Sequence, residues 1–352
     1  MTLDNCDGVS IVSEVRNWRR LHHLPLALFL LTMIAVALGG AVRIHDAGVS
    51  CPDWPQCFGT WGFDISPEEQ AEWWAENPEE IKSNEDKITY ETWEIFLEWI
   101  HRFVTGLILG PLCILQWYLA FKRKQTMPGV YKASSAALIL VIIQGIMGMI
   151  TVLYDNVPWS VAAHLTLAMA LALSLLWAWI RWMEAERELP QWMELESNNA
   201  NRLRPRLYDL SLSTLLVLIL GAFVSSTEGQ NATCGVGDFS AWPLCGGHIF
   251  DSLVDNIQFG HRVAVVIVGG WLIWNVRSLE RGTIRKLLHS GIGLYVLNLL
   301  VGGAYILTWN GAFIEILSLA HLLLGSLSFL CIGFAALLAR NASLSQMVTE
   351  DE

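Results

Sequence analysis

Four of the nine histidines form two matched pairs. His101 and His261 stand in the related segments Glu98-Trp-Ile-His101-Arg102 and Gln258-Phe-Gly-His261-Arg262, 160 residues apart. His164-Leu-Thr-Leu-Ala and His321-Leu-Leu-Leu-Gly are 157 apart, and Gln144-x3-Gly148 and Asn298-x3-Gly302 are offset by 154. A neutral imidazole is a good metal ligand. Two of them on neighbouring helices at one level can grip haem iron from both faces. Zinc suits the pattern less, because no third or fourth ligand accompanies either pair. Glu98 lies three residues before His101 and shares its helix face, whereas Gln258 takes that place beside His261. An amide cannot accept a proton. The two pairs should therefore differ in chemistry, one reacting and the other holding a permanent cofactor.

The elements that must carry these residues cross a membrane. Of the 352 residues, 53% are hydrophobic and only 16% charged, too few charges to solvate a globular surface of this size. Apolar runs at about 24–44, 96–121, 131–153, 160–181, 207–226, 259–276, 287–307 and 315–338 predict eight spans. Arg16, Arg19 and Arg20, then Lys122, Arg123 and Lys124, then Arg202, Arg204 and Arg206, then Arg277, Arg281, Arg285 and Lys286 fall on one side, with Arg340 after the last span. The opposite loops are acidic: residues 45–98 hold fourteen Asp/Glu against Lys82 and Lys87, and 227–257 hold four with no Lys or Arg. Positive charge stays inside, so both termini are expected in the cytoplasm and both long loops outside. A cleaved signal peptide ending near Ala41 is the competing reading, and it leaves seven spans. Trp99, Trp117, Trp159, Trp182 and Trp309 fall near span ends, where amphipathic rings favour the interface. The net charge of −11 and the lack of a basic patch argue against nucleic acid as a partner.

The matching offsets predict an all-α membrane protein of eight transmembrane helices, arranged as two tandem, pseudo-symmetric four-helix bundles. Its parts are an arm at 1–23, a half at 24–181, a cytoplasmic linker at 182–206, a half at 207–338 and a tail at 339–352. The four paired histidines open even-numbered spans, so they lie at one depth, roughly 7–8 Å below the outer boundary. An isolated intramembrane histidine is more often structural, but four at matched depth favour metal or haem. His22, His23, His45, His248 and His289 fall outside spans or at their edges. Glu98 near the bilayer is a functional candidate by default, with pairing to Arg102 as the alternative. Arg102 and Arg262 stand where they could meet haem propionates or anchor the interface.

Cys51 and Cys57 follow span 1, and Cys234 and Cys245 follow span 5. On the outer, oxidising side each pair reads as a disulfide, either pinning a loop over a pocket or, for the first pair, handling electrons. Cys113 and Cys331 fall in spans as packing residues, and Cys6 is cytoplasmic. The run from Pro67 to Trp74 in the acidic stretch 60–95 suggests a short surface helix.

Gly39-Gly40-Ala-Val-Arg43, followed by Gly48-Val-Ser-Cys51-Pro-Asp-Trp-Pro-Gln-Cys57-Phe-Gly, closely resembles the first span and loop of haem A synthases. Glu98-Trp-Ile-His101-Arg102, His164, Gln258-x-x-His261-Arg262 and His321 follow in that family's order, so the resemblance covers roughly 24–338. The resemblance implies oxidation of the C8 methyl of haem O to the formyl of haem A, in a bacterial cytoplasmic (inner) membrane. It implies haem O bound by His101 and His164, Glu98 as the catalytic carboxylate, and a haem b held by His261 and His321 with Arg262 beside it. Membrane lipid, the haem O-producing farnesyltransferase, cytochrome oxidase assembly factors and an electron-transfer partner are the associations it implies. The acidic stretch 60–95 and His45 depart from the expected pattern. Two other classes fit parts of the chain. An electron-transfer cytochrome would use the four histidines alone, and a thiol–disulfide oxidoreductase would use the cysteine pairs.

Overall fold

The computed structural model of the chain describes residues 20–78, 89–195, 197–230, 233–247, 249–312 and 314–350, without the side chains of 197–198 and 344–350. Cys6, Arg16, Arg19, Lys82, Lys87 and His248 lie outside the described residues. The long helices are α1 His23–Ile44, α2 Pro67–Glu76, α3 Thr92–Phe121, α4 Pro128–Leu153, α5 Pro158–Glu186, α6 Ser197–Ser226, α7 Leu253–Arg277, α8 Thr283–Leu307 and α9 Glu315–Glu350. All but α2 are long and apolar enough to cross a bilayer, which makes the eight expected spans. Among the described residues the only β-type pairing is one bridge between Cys57 and Thr60.

Local chemistry sets several helix ends. Proline begins α2, α4 and α5, where its missing N–H is no loss and its fixed φ already suits a helix. Ser66 and Glu69 close a reciprocal cap on α2, the surface helix expected from Pro67. Helix α5 stops at Arg187, whose φ of 58° turns the chain so that the Glu188 N–H reaches the Met183 carbonyl at 2.8 Å. The spans run past the limits read from hydropathy, by several residues at α6 and α7. The segment 182–206, expected as linker, is therefore largely taken up by the ends of α5 and α6. Hydropathy reports the part of a helix in lipid, whereas backbone hydrogen bonding continues until something caps it.

Both halves repeat one neighbour pattern. Helix α1 packs on α3 and α5, and α4 on α3 and α5; likewise α6 packs on α7 and α9, and α8 on α7 and α9. The halves meet where α5 lies against α6 and α9 and α1 lies against α9. Ala168, Met169 and Ala172 of α5 pack there with Phe329 and Leu330 of α9. At the end away from the long loops, Arg181 donates to Asn341 at 3.0 Å and pairs with Glu184 at 2.7 Å, while the Asn341 amide donates to Glu184. Trp182, expected at the lipid interface, is instead fully buried against Ala120 and Val130, with the Arg123 guanidinium 5.9 Å from its ring. Burial there follows from α5 being a central helix, which periodicity in one span cannot reveal.

Over the first half the long loop forms a small core of its own. Cys51, Cys57, Phe58, Ile65, Trp74, Tyr90 and Ile95 are buried together. The buried Gln70 side chain ties α2 to the approach of α3, donating to the Ile65 and Tyr90 carbonyls and accepting from the Tyr90 N–H. Disulfides join Cys51 to Cys57 and Cys234 to Cys245, and all four cysteines are buried. Reactive pairs need access, so this burial favours the loop-pinning reading of both.

Candidate functional site

Each paired histidine is seated on a glycine of the adjacent span. A Cβ built on Gly39 of α1 would lie 3.1 Å from the His101 ring, and one on Gly221 of α6 would lie 3.1 Å from His261. For Gly148 and His164 the distance is 3.2 Å, and for Gly302 and His321 it is 2.6 Å. The rings thus fill space that any larger residue would take. Gly221 was not singled out in the sequence, yet a signal exists: Thr32-x6-Gly39 and Thr214-x6-Gly221 share an offset of 182. Both threonines are buried and donate one turn back, to the Leu28 and Leu210 carbonyls at 2.8 Å.

A continuous cavity of about 1140 Å³ runs past all four histidines and draws its lining from both halves. That exceeds the ~300–1,000 Å³ of pockets for drug-sized ligands. The lining is mainly apolar, with Glu98, Arg102, Arg43, Gln144 and Asn298 among its polar members. Nδ1 of His164 is buried without a hydrogen-bond partner, whereas the buried His101 and His261 rings lie against the Ala35 and Val217 carbonyls. His321 Nδ1 lies 3.1 Å from the Asn298 carbonyl, which makes it the donor and leaves the Nε2 lone pair free. In the first half the Gln144 amide donates to His164 Nε2 at 3.3 Å and to the His164 carbonyl at 3.1 Å. Among the described residues no group of three His, Cys, Asp or Glu could hold a bare metal ion. Paired imidazoles without a third donor suit an iron whose other positions a planar macrocycle fills.

The Glu/Gln difference becomes a difference in place. Glu98 is buried, lines the cavity and accepts from Arg102 Nε at 2.8 Å. Gln258 is equally buried but turns its amide to the second loop, donating to the Gln230 carbonyl and to Thr233 Oγ1. It is not part of the cavity lining.

Helix α3 is irregular just inside this point. Phe103–Leu109 winds as a π-helix, in which the Gly110 N–H bonds the Thr105 carbonyl five residues back. Pro111 follows and has no N–H to give, and the wider turn accommodates that loss. Helix α7 has no such segment.

Arg102 and Arg262 both bind the long loops. Arg102 donates to the carbonyls of Asp53, Gln56 and Cys51 at 2.5, 2.6 and 2.7 Å as well as to Glu98. Arg262 donates to the Pro243 carbonyl at 3.0 Å, to Cys245 Sγ at 3.8 Å and to Gln258 at 3.4 Å, and it does not line the cavity. Each guanidinium clamps a disulfide loop onto the helix that carries a histidine. Arg102→Ala leaves the buried Glu98 carboxylate unpaired and is expected to cost roughly 3–5 kcal/mol. Limited proteolysis in membranes should then cut the first loop under conditions that spare the wild type; equal protection would remove the clamp.

The family model described as COX15-CtaA, cytochrome oxidase assembly protein, matches residues 22–343. The chain belongs to that family. Among the COX15-CtaA relatives, a protein named heme A synthase from an Exiguobacterium species is 28% identical over 293 residues, covering 81% of this chain and 84% of that protein. The Shewanella oneidensis heme A synthase is 29% identical over 226 residues, 63% of this chain and 60% of that protein. For the Listeria monocytogenes heme A synthase the figures are 26% over 196 residues, 53% and 59%. The chain thus matches about three-fifths of the length of the latter two. The resemblance drawn from the Cys51–Cys57 segment and the four histidines holds at the level of the family.

Proposed function

We propose that this chain oxidises the C8 methyl group of haem O to the formyl group of haem A, for use in cytochrome oxidase. The first half, 24–181, presents His101 and His164 to the substrate, and the second half, 207–338, holds a haem b between His261 and His321. The observation that carries this reading is the inequality of the two pockets: Glu98 lines the cavity beside His101, and Gln258 is bonded away into its loop. The relatives named heme A synthase support it.

The bound haems supply the redox chemistry that side chains lack. Glu98 takes or returns protons as C–H bonds of the methyl are broken, and it faces positive charge that develops there. Arg102 fixes the carboxylate's direction. The glycine seats set ring position, and the apolar lining limits water. The Gln144 amide on His164 must yield when a porphyrin enters and can return when it leaves, which suits a substrate that turns over. Asn298 is one methylene shorter than Gln144 and its main chain orients His321, which suits a resident group. The charge pattern supports an orientation with both termini in the cytoplasm and the long loops outside a bacterial inner membrane. The farnesyltransferase that makes haem O and the cytochrome oxidase assembly factors are the partners by pathway, together with an electron-transfer protein.

Expression with a source of haem O, followed by chromatography of the extracted haems, tests the proposal. Haem A is the expected new pigment. Two haems b with no haem O or haem A would favour an electron-transfer cytochrome instead.

A further inference from the structure

We infer that Arg43 binds a carboxylate of the porphyrin seated at His101 and so fixes which way round that porphyrin sits. The inference rests on the function proposed above. A porphyrin carries carboxylates on one edge, and these need a cation or water when the rest of the ring is held in an apolar cavity. The cavity lining already holds the carboxylates of Asp46, Glu98, Asp155 and Glu228, so an anionic edge is tolerated only where a cation faces it. The Lys and Arg residues of that lining are Arg43 and Arg102. Arg102 is engaged by three loop carbonyls and Glu98, which leaves Arg43.

Arg43 stands at the right level. It follows Gly39, the seat of His101, by four residues, so it lies on the same face of α1 about 6 Å nearer the long-loop side. Its present partners are exchangeable or leave capacity. Nη1 meets Asp46 at 2.7 Å, but the Asp46 side chain is 86% exposed, and such a pair is weak. Nη2 donates to the Ser225 carbonyl at 2.6 Å, and Nε is buried with no hydrogen-bond partner. Asp46 holds the guanidinium in place until a ligand carboxylate replaces it.

The second half lacks this feature. Ser225 stands four residues after Gly221, at the position matching Arg43, so the cation belongs to the half that also has Glu98. That coincidence has a chemical use. A porphyrin has several methyl groups around its rim, and iron ligation alone leaves the ring free to enter in more than one orientation. A charge at one edge selects the orientation that brings one particular methyl towards Glu98.

The test uses the full-length chain in detergent, titrated with ferric protoporphyrin IX and with its dimethyl ester while the Soret band is followed. The phase removed by His101→Ala defines the first-half site. Wild type should prefer the diacid by about tenfold, and Arg43→Gln should weaken the diacid by about that factor while leaving the ester unchanged. Asp46→Asn, which removes the competing carboxylate, should tighten the diacid. A wild type indifferent to esterification, or an Arg43→Gln protein that keeps the preference, overturns the role of Arg43 alone. Equal weakening of both ligands makes Arg43 a structural residue and also overturns it. If His101→Ala removes no phase at all, the porphyrin assignment of the first half fails and Arg43 with it.

Discussion

Glu98→Gln is expected to lower conversion of haem O by a factor of about 10²–10⁴, the usual worth of a positioned acid or base, with the second-half haem still bound. The substitution is nearly isosteric. Its amide oxygen can still accept from Arg102 Nε, now 2.8 Å from the carboxylate, so the clamp on the first loop should survive. The change converts the first pocket to the arrangement already present in the second, where Gln258 accepts from Arg262 at 3.4 Å. Folding of the Gln258–Arg262 pair in the same chain is thus a built-in control for the variant. The ratio of haem A to haem O in extracted pigment reads the chemistry, and the low-spin haem spectrum reads retention of the second-half group. Wild-type amounts of haem A would remove Glu98 from the reaction.

The second large effect is steric. Gly302→Ala puts a methyl group 2.6 Å from His321 Cε1 and 2.9 Å from Nδ1, closer than real side chains approach. The ring cannot simply swing away, because its Nδ1 donates to the Asn298 carbonyl at 3.1 Å. Either α8 and α9 separate or the imidazole leaves its seat, an overpacking cost of roughly 1–3 kcal/mol. The expected result is loss of the second-half haem, seen as about half the haem per chain and the disappearance of its bis-histidine spectrum. Gly148→Ala is the milder comparison, since its Cβ would lie 3.2 Å from His164 Cε1 and a shift of a few tenths of an ångström relieves it. Unchanged haem content in Gly302→Ala would falsify His321 as a ligand.

Much of the site could be read along the chain because its signals are local or periodic. Glu98 and Gln258 declare their difference by type alone, and the Pro67 run announces α2 through proline and the Ser66–Glu69 cap. Other residues left several roles open for equally physical reasons. Arg102 and Arg262 sit beside histidines near the membrane boundary, where a guanidinium could serve a ligand, an interface or a loop. Only the folded loops present the carbonyls that claim them. Trp182 shares its position near a span end with interfacial tryptophans, and its burial depends on α5 being surrounded.

The sequence by itself determined the eight spans, their duplication and the four-histidine register. Each of these follows from how residue types repeat along one chain, and lipid rewards a long apolar run wherever it occurs. Tertiary structure decided that glycines of neighbouring helices seat the rings, that one cavity joins the halves, and that Arg43 remains to face it. Those outcomes depend on which helix faces meet across the bundle and on which donors reach which carbonyls. Such contacts join residues far apart in sequence, and no local pattern encodes them.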